Sequence, residues 1–351
     1  MTPLSVVFSS SERSWSDSPR AIERELLRRQ APVERRWLLP EDVPPPDGAE
    51  HVPAGTEEAR ATLEQAHHIV SNTYLLQRFT PREGATYLQT WHGTPLKRIG
   101  HDIKIPEHIL RYEVSSRDDA ARWNYVIAPN AFSVPILREV FPGTEILETG
   151  YPRNDILRSH DADRVREETR EQLGLAPEQL AVLYAPTFRD HDLTIRFGLD
   201  PASVTGLDPS AVMLARSHVM AEPGEPAGDQ PGWRDVTSWP DIAELYLAAD
   251  VLITDYSSAM FDFAVTRKPL IFYTYDLEHY RDESRGFTFD FEREAPGPLL
   301  RTADEVVAAL NDLGGVHERY AERYAAFAER FCHLDDGRAS ERVVDAVFTG
   351  L

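Results

Sequence analysis

The stretch DVLITDYSSAMFDFAVTRKPLIFY, Asp250 to Tyr273, reads as a unit of strand, tight turn, helix and second strand. Val251 to Thr254 is a short apolar, partly β-branched run, Asp255-Tyr256-Ser257-Ser258 is a polar turn, Ala259 to Val265 has helical character, and Pro269 to Tyr273 is strand-like again. In a parallel α/β sheet the turn after a strand lies at the carboxyl edge and opens a helix whose free N–H groups attract an anion. Ser257 and Ser258 add two hydroxyl donors, which makes the turn a candidate phosphate site. The competing reading makes either serine an N-cap and nothing more, a role serine fills very often. Asp255 and Asp262 stand close by, but the Asp-rich spacing of a hard-cation loop is missing, so no metal is expected.

Working outward, strand and helix patterns alternate on both sides. Leu4 to Phe8 is a first buried strand, and a helix runs from about Pro19 to Arg29, with Ser18 as its cap. Trp37 to Leu39 is strand-like, the proline-rich Pro40 to Gly55 a surface loop, and Glu57 to Gln65 a helix. Strands follow at His68 to Asn72, Tyr87 to Trp91, Tyr125 to Ala128 and Glu145 to Leu147. The charged Tyr151 to Gln179 carries no strand and reads as a helical crossing between two domains, 1–160 and 161–351. Beyond it come strands at Ala181 to Thr187 and Ala211 to Arg216, a Gly/Pro-rich excursion from Ala221 to Gly232, the opening unit, and helices at Thr302 to Leu310, Val316 to Phe331 and Ser340 to Phe348. This alternation predicts an α/β fold with parallel sheets.

The 351 residues suffice for two domains with their own cores, and 42% hydrophobic with 27% charged residues is a globular composition. There are 37 basic and 58 acidic residues, a formal charge of −21, which opposes nonspecific binding to nucleic acid and to anionic membranes. An anionic ligand therefore needs a locally basic site. The single cysteine, Cys332, excludes an intramolecular disulfide and a thiolate zinc cluster, and it fits a reducing compartment. Met1 to Phe8 has no basic n-region and too short an apolar run for a signal peptide, and no membrane-spanning run is found, so a cytoplasmic protein with at most peripheral membrane contact is expected.

His92 follows the strand Tyr87–Trp91 and precedes Gly93, a strand-end position suited to acid or base work; the alternative is a hydrogen-bonded structural histidine. Lys97 and Arg98 add positive charge just after it. Arg216-Ser217-His218 repeats the strand-end arrangement in the second half. Thr187-Phe188-Arg189-Asp190 sits on the same sheet edge as Ser257, and Arg189 either meets a phosphate with its fork or pairs with Asp190 at the surface. In Tyr151-Pro152-Arg153-Asn154-Asp155 the proline fixes a turn that aims Arg153 inward. The P-loop, GxGxxG, HExxH and GxSxG signatures are absent from the sequence.

Four separated motifs now stand in order: Gln89-Thr90-Trp91-His92-Gly93-Thr94-Pro95-Leu96-Lys97; Gly150-Tyr151-Pro152-Arg153-Asn154-Asp155; Tyr184-Ala185-Pro186-Thr187-Phe188-Arg189; and the long run from Ile253 through DYSS to Leu299. Together with WSDSPRAIERELL near the start and DDGRASERVVDAVF near the end, they resemble the CDP-glycerol glycerophosphotransferase family, the teichoic acid primases and polymerases, over nearly the whole chain. The resemblance implies a GT-B fold, two Rossmann-like domains facing across a cleft, the C-terminal one binding the nucleotide donor. It implies transfer of a polyol phosphate from CDP-glycerol or CDP-ribitol, a substrate and not a cofactor, to a hydroxyl of an anionic glycopolymer or lipid-linked acceptor, with release of CMP.

On this resemblance His92 is the general base, His218 assists at the phosphates, and Ser257 and Ser258 hold the diphosphate. The donor side also takes in Thr187, Arg189, Arg216, Asp255 and Asp262, and the acceptor side Gly93, Thr94, Lys97, Arg98, Arg153 and Asn154. The segment Ala215-Arg216-Ser217-His218-Val219-Met220 lacks the proline that the family usually carries after the histidine, and no additional membrane-associating segment is read. The acidic balance favours a basic channel for the acceptor built from Lys97, Arg98, Lys104, Arg111 and Arg153. Two other functions share these features: a GT-B glycosyltransferase using a sugar nucleotide, and a non-catalytic binder of nucleotide or anionic glycopolymer.

Overall fold

The apolar runs read as strands in the sequence fall in parallel strands, because strands covered by helices on both faces must be apolar on both. The computed structural model describes residues 4–10, 14–75, 77–99, 118–187, 189, 198–217 and 230–349. The chain divides into two compact units, one made of Met1–Thr94, Ile99–Ile156 and His333–Leu351, the other of Pro95–Arg98 and Leu157–Cys332.

The first unit holds β1 (Leu4–Ser9), α1 (Asp17–Arg28), β2 (Val33–Leu39), β3 (Glu50–Pro53), α2 (Glu57–Gln65), β4 (His68–Ser71), β5 (Thr86–Gln89), β6 (Tyr125–Ala128), α3 (Ser133–Val140) and β7 (Glu145–Glu148). Its sheet has the order β3-β2-β1-β4-β5-β6-β7, every pair parallel. Period-two alternation splits β1 between the two faces: Val6 and Phe8 join the core with Ile22, Leu26 and Trp37, while Val7 joins Ile69, Tyr87 and Trp123. The last helix, Ala339–Val347, lies in this unit as well and gives Val343, Val344 and Val347 to the Phe8 core, each worth about 1.5–3 kcal/mol when fully buried.

The second unit holds α4 (Ala162–Gln172), β8 (Leu180–Tyr184), β9 (Ala211–Ala215), β10 (Trp233–Asp235), α5 (Ile242–Ala248), β11 (Val251–Thr254), α6 (Ala259–Ala264), β12 (Leu270–Tyr273), α7 (Leu277–Asp282), α8 (Phe291–Glu294), β13 (Leu299–Leu300), α9 (Ala303–Leu310) and α10 (Leu313–Phe331); the last helix above is α11. Its sheet order is β10-β9-β8-β11-β12-β13, all parallel. The strand order reverses between β8 and β11, and in such sheets ligands bind beyond the carboxyl ends at that switch point. At the opposite end, Lys268 Nζ donates to the Tyr246, Leu247 and Ala249 carbonyls, and Arg166 and Arg170 converge on the same helix end and on Asp250. The two guanidinium groups there complement the α5 dipole.

The structure differs from the sequence reading in several places. The proline-rich Pro40–Gly55 contains β3, which tolerates Pro53 because it is an edge strand. The three-residue β10, β13 and helices α3, α5, α7 and α8 are additional elements, and Ser16 rather than Ser18 holds the N-cap position of α1. The chain changes unit between Ile156 and Leu157, near the expected boundary after 160, but also at Pro95–Arg98 and at His333. Thr288 explains the first of these extra crossings, because its N–H and hydroxyl donate to Leu96 and Pro95 carbonyls; the α11 core residues explain the second.

Candidate active site

At the carboxyl edge of the first sheet, His92 sits in a turn held from several sides. Gln89, the last residue of β5, accepts the Trp91 N–H on its amide oxygen at 2.9 Å and donates to Thr73 O at 3.0 Å. Trp91 adopts φ 58°, a left-handed conformation that costs a bulky residue about 1–3 kcal/mol. Its indole offsets that strain by packing edge-on to Phe141 and Tyr74 and by stacking on the His92 ring, with centroids 4.5 Å apart. His92 itself is exposed, and its Nδ1 lies 2.8 Å from Asn72 O. A carbonyl can only accept, so Nδ1 carries the proton of the neutral ring and Nε2 carries the lone pair, the tautomer of a general base.

The backbone after His92 is fixed in the same way. Gly93 N donates to the buried Tyr151 hydroxyl at 3.0 Å, and Asn130 Nδ2 donates to Thr94 Oγ1 at 3.1 Å while its oxygen accepts from Ser133 N and Oγ. Arg153 Nη2 donates to His92 O at 3.0 Å and Nη1 to Asp17 Oδ2 at 2.8 Å. Asn154 donates to Asp335 Oδ1, and the Asp155 carboxylate accepts the Ala339 and Ser340 N–H groups at the start of α11. Thr94, Arg153 and Asn154 are therefore buried parts of the turn's support rather than an exposed acceptor surface. Lys97 and Arg98 belong to the second unit, where Lys97 bridges antiparallel to Phe287. Lys104 and Arg111 lie outside the described residues.

In the second unit the DYSS turn and Thr187 stand at the switch point between β11 and β8. Asp255 Oδ1 accepts from Thr187 N at 2.8 Å and from Tyr256 N at 2.6 Å, so one carboxylate ties the two strand ends together. Arg189 closes the network: Nη1 donates to Asp255 Oδ2 and Thr187 O, while Nε and Nη2 grip Asp276 at 2.8 and 3.1 Å. Burial opposes its charge, but Asp255 and Asp276 raise the guanidinium above its ordinary value. Tyr256 stacks on Tyr280 at 4.0 Å and donates to Asp276; burial, then the two carboxylates, push its phenol up.

Arg189, expected to meet a phosphate, thus turns its fork onto Asp276, and Asp255 is a brace between strands. Arg216 is likewise buried and donates to Val236 and Trp239 carbonyls. Asp262 is buried in α6. Ser257 Oγ accepts from Ala259 N, and Ser258 holds the N-cap position of α6 with no side-chain cap bond; both serines are half-buried. The buried Thr187 hydroxyl has no hydrogen-bond partner among the described residues. His218 lies outside the described residues, and no metal-binding cluster is found among those described. Sequence reasoning quoted Asp17, Tyr151 and Asp276 within its motifs but gave them no site role, and gave none to Asn72 and Asn130, since residue type alone gives no hint of partners so distant along the chain.

A family model described as CDP-glycerol:poly(glycerophosphate) glycerophosphotransferase matches residues 2–349. The chain belongs to this family. Among glycerophosphotransferase relatives, the teichoic acid poly(glycerol phosphate) polymerase of Staphylococcus epidermidis is 32% identical over 98% of this chain and 50% of its own length. The teichoic acid glycerol-phosphate transferase of Staphylococcus aureus is 38% identical over 75% of this chain and 71% of its own. A structure of the wall teichoic acid polymerase TagF soaked with CDPG matches with a TM-score of 0.88 at 33% identity, covering 99% of this chain and 88% of that one. The chain thus spans about half the length of the polymerase it matches, and it shares the GT-B type of α/β fold.

Proposed function

We propose that the chain transfers glycerol phosphate from CDP-glycerol to a hydroxyl of a teichoic-acid-like or capsule-like acceptor and releases CMP. The acceptor oxygen bonds to the β-phosphorus, the bond from that phosphorus to the oxygen bridging to the α-phosphate breaks, and His92 Nε2 takes the hydroxyl proton. Ser257 and Ser258 hold the diphosphate, with the Thr187 hydroxyl as a further donor. Phosphoryl transfer depends on positioning and on electrostatic stabilisation more than on covalent chemistry, and of these the group set supplies hydroxyl donors for the diphosphate and a base for the acceptor. The observation that carries the reading is the Nδ1 contact of His92 with Asn72 O, which leaves the lone pair on Nε2 of an exposed ring at a sheet's carboxyl edge. Family membership supports the donor class. Work in the cytoplasm on a lipid-linked chain, in peripheral contact with the inner membrane face, belongs to the same proposal.

The test incubates the protein with CDP-glycerol, CDP-ribitol and a panel of sugar nucleotides, each with an oligomeric polyol phosphate acceptor, and reads released nucleotide and product mass. CMP from CDP-glycerol, lost by at least 100-fold in a folded His92→Ala variant, is the expected result. Near wild-type turnover in that variant overturns the base assignment, and UDP or GDP release overturns the donor class. CDP-glycerol binding without turnover on any acceptor would point to a binder.

A further inference from the structure

We infer that Asp17 and Arg153 are positioning residues for His92, acting on its backbone; the inference rests on the reading of His92 as base. Arg153 donates at once to His92 O (3.0 Å) and to Asp17 Oδ2 (2.8 Å), and both side chains of the ion pair are only 8% exposed. The guanidinium also lies 4.7 Å from the centre of the Tyr151 ring, whose hydroxyl accepts the next N–H, that of Gly93. One cation therefore locks the carbonyl of His92 while its aromatic neighbour locks the following amide, and the peptide plane after the base cannot rotate.

The backbone strain is placed accordingly. Four non-glycine residues among those described have positive φ, and two of them adjoin His92 in this way: Trp91 at 58°, directly before it, and Asp17 at 60°, at the far end of the Arg153 bridge. Such conformations persist only where surrounding contacts over-determine them. Asp17 also accepts the Ser18 N–H on Oδ1, so its second oxygen is left aimed at Arg153 by the first turn of α1. The path from α1 to the base is thus Asp17 carboxylate, Arg153 guanidinium, His92 carbonyl, with the ring then oriented by Asn72 O.

This role differs from direct capture of an anionic acceptor by Arg153, and the two are separable. Asp17→Asn is nearly isosteric, and asparagine tolerates left-handed φ as aspartate does, so the variant removes charge without forcing the backbone. Positioning predicts that Asp17→Asn and Arg153→Gln each lower kcat about 10–100-fold with KM for the acceptor little changed. The double variant should lose no more than the worse single one, because both act through one carbonyl. Direct capture predicts a raised acceptor KM in Arg153→Gln, and an unchanged or lowered KM in Asp17→Asn.

A readout without turnover keeps the two levels of inference apart. Nitrogen-15 shifts of the His92 ring in the substrate-free full chain should report the Nδ1–H form in the wild type and a mixture of tautomers in both variants, with melting temperature recorded to confirm folding. Unchanged ring shifts together with unchanged kcat overturn the positioning role. If the wild type turns over no CDP-glycerol, the functional reading fails while the ring shifts still decide the positioning one.

Discussion

His68 offers a quantitative test of how the first unit responds to acid. It opens β4, and its ring stacks on Phe348, just past α11, at 4.5 Å. Its Nδ1 is buried without a hydrogen-bond partner among the described residues, so a proton placed there has nothing to donate to. Burial, with a smaller contribution from the neighbouring His67, pulls its pKa from 6.5 down to about 4. The folded chain therefore keeps His68 neutral where the unfolded chain protonates it. Stability is complete above about pH 7, is lost as pH falls through 6.5, and stops falling below 4, where both forms are charged. The full difference is worth about 3 kcal/mol, of which about 2 kcal/mol is lost by pH 5. Urea unfolding at pH 7.5 and pH 5, followed by hydrogen exchange of peptides from β4 and α11, measures it. The wild type should lose about 2 kcal/mol more than His68→Gln between these pH values. Equal losses in the two proteins would refute the claim that burial holds the ring neutral.

Two further perturbations address the second unit. Arg189→Met strands Asp255 and Asp276 without their cation and should destabilise the unit by about 3–5 kcal/mol in thermal unfolding; a variant of normal stability with weakened nucleotide binding would return Arg189 to the phosphate role. Burial, reinforced by Arg166, lowers Lys268 to about 7, so the unfolded chain holds a proton that the folded chain has released, and stability should rise by about 2 kcal/mol from pH 7 to pH 9. Lys268→Met should flatten that rise, and the same slope in both proteins would show the ammonium to be charged throughout.

The sheets were legible because buried parallel strands are short apolar runs punctuated by turns, and Val251–Thr254 with its DYSS turn and following helix is a clear instance. β3 escaped because its residues lie in a proline-rich stretch, and β10 because three residues carry no period. Of the proposed site, His92, Ser257 and Ser258 stand out in the sequence by residue type and by their place after a strand. Roles such as those of Arg189, Asp255 and Arg216 were not legible, since an arginine that neutralises a ligand and one that pairs with two aspartates of its own chain look alike in a sequence. The partner that distinguishes them, Asp276, lies 87 residues from Arg189.

The return of α11 to the first unit bears on how the protein is made. Val343, Val344 and Val347 complete the core around Phe8, yet they leave the ribosome only after the whole of Leu157–Cys332. At about 5–20 residues per second that stretch takes roughly 10–35 s, during which the core around Phe8 and α1 lacks its α11 residues. The second unit, nearly continuous in the chain, has all its strands and helices synthesised before α11 emerges. Vectorial synthesis thus separates start from completion: the unit begun first is finished last, when α11 joins Val6 and Phe8.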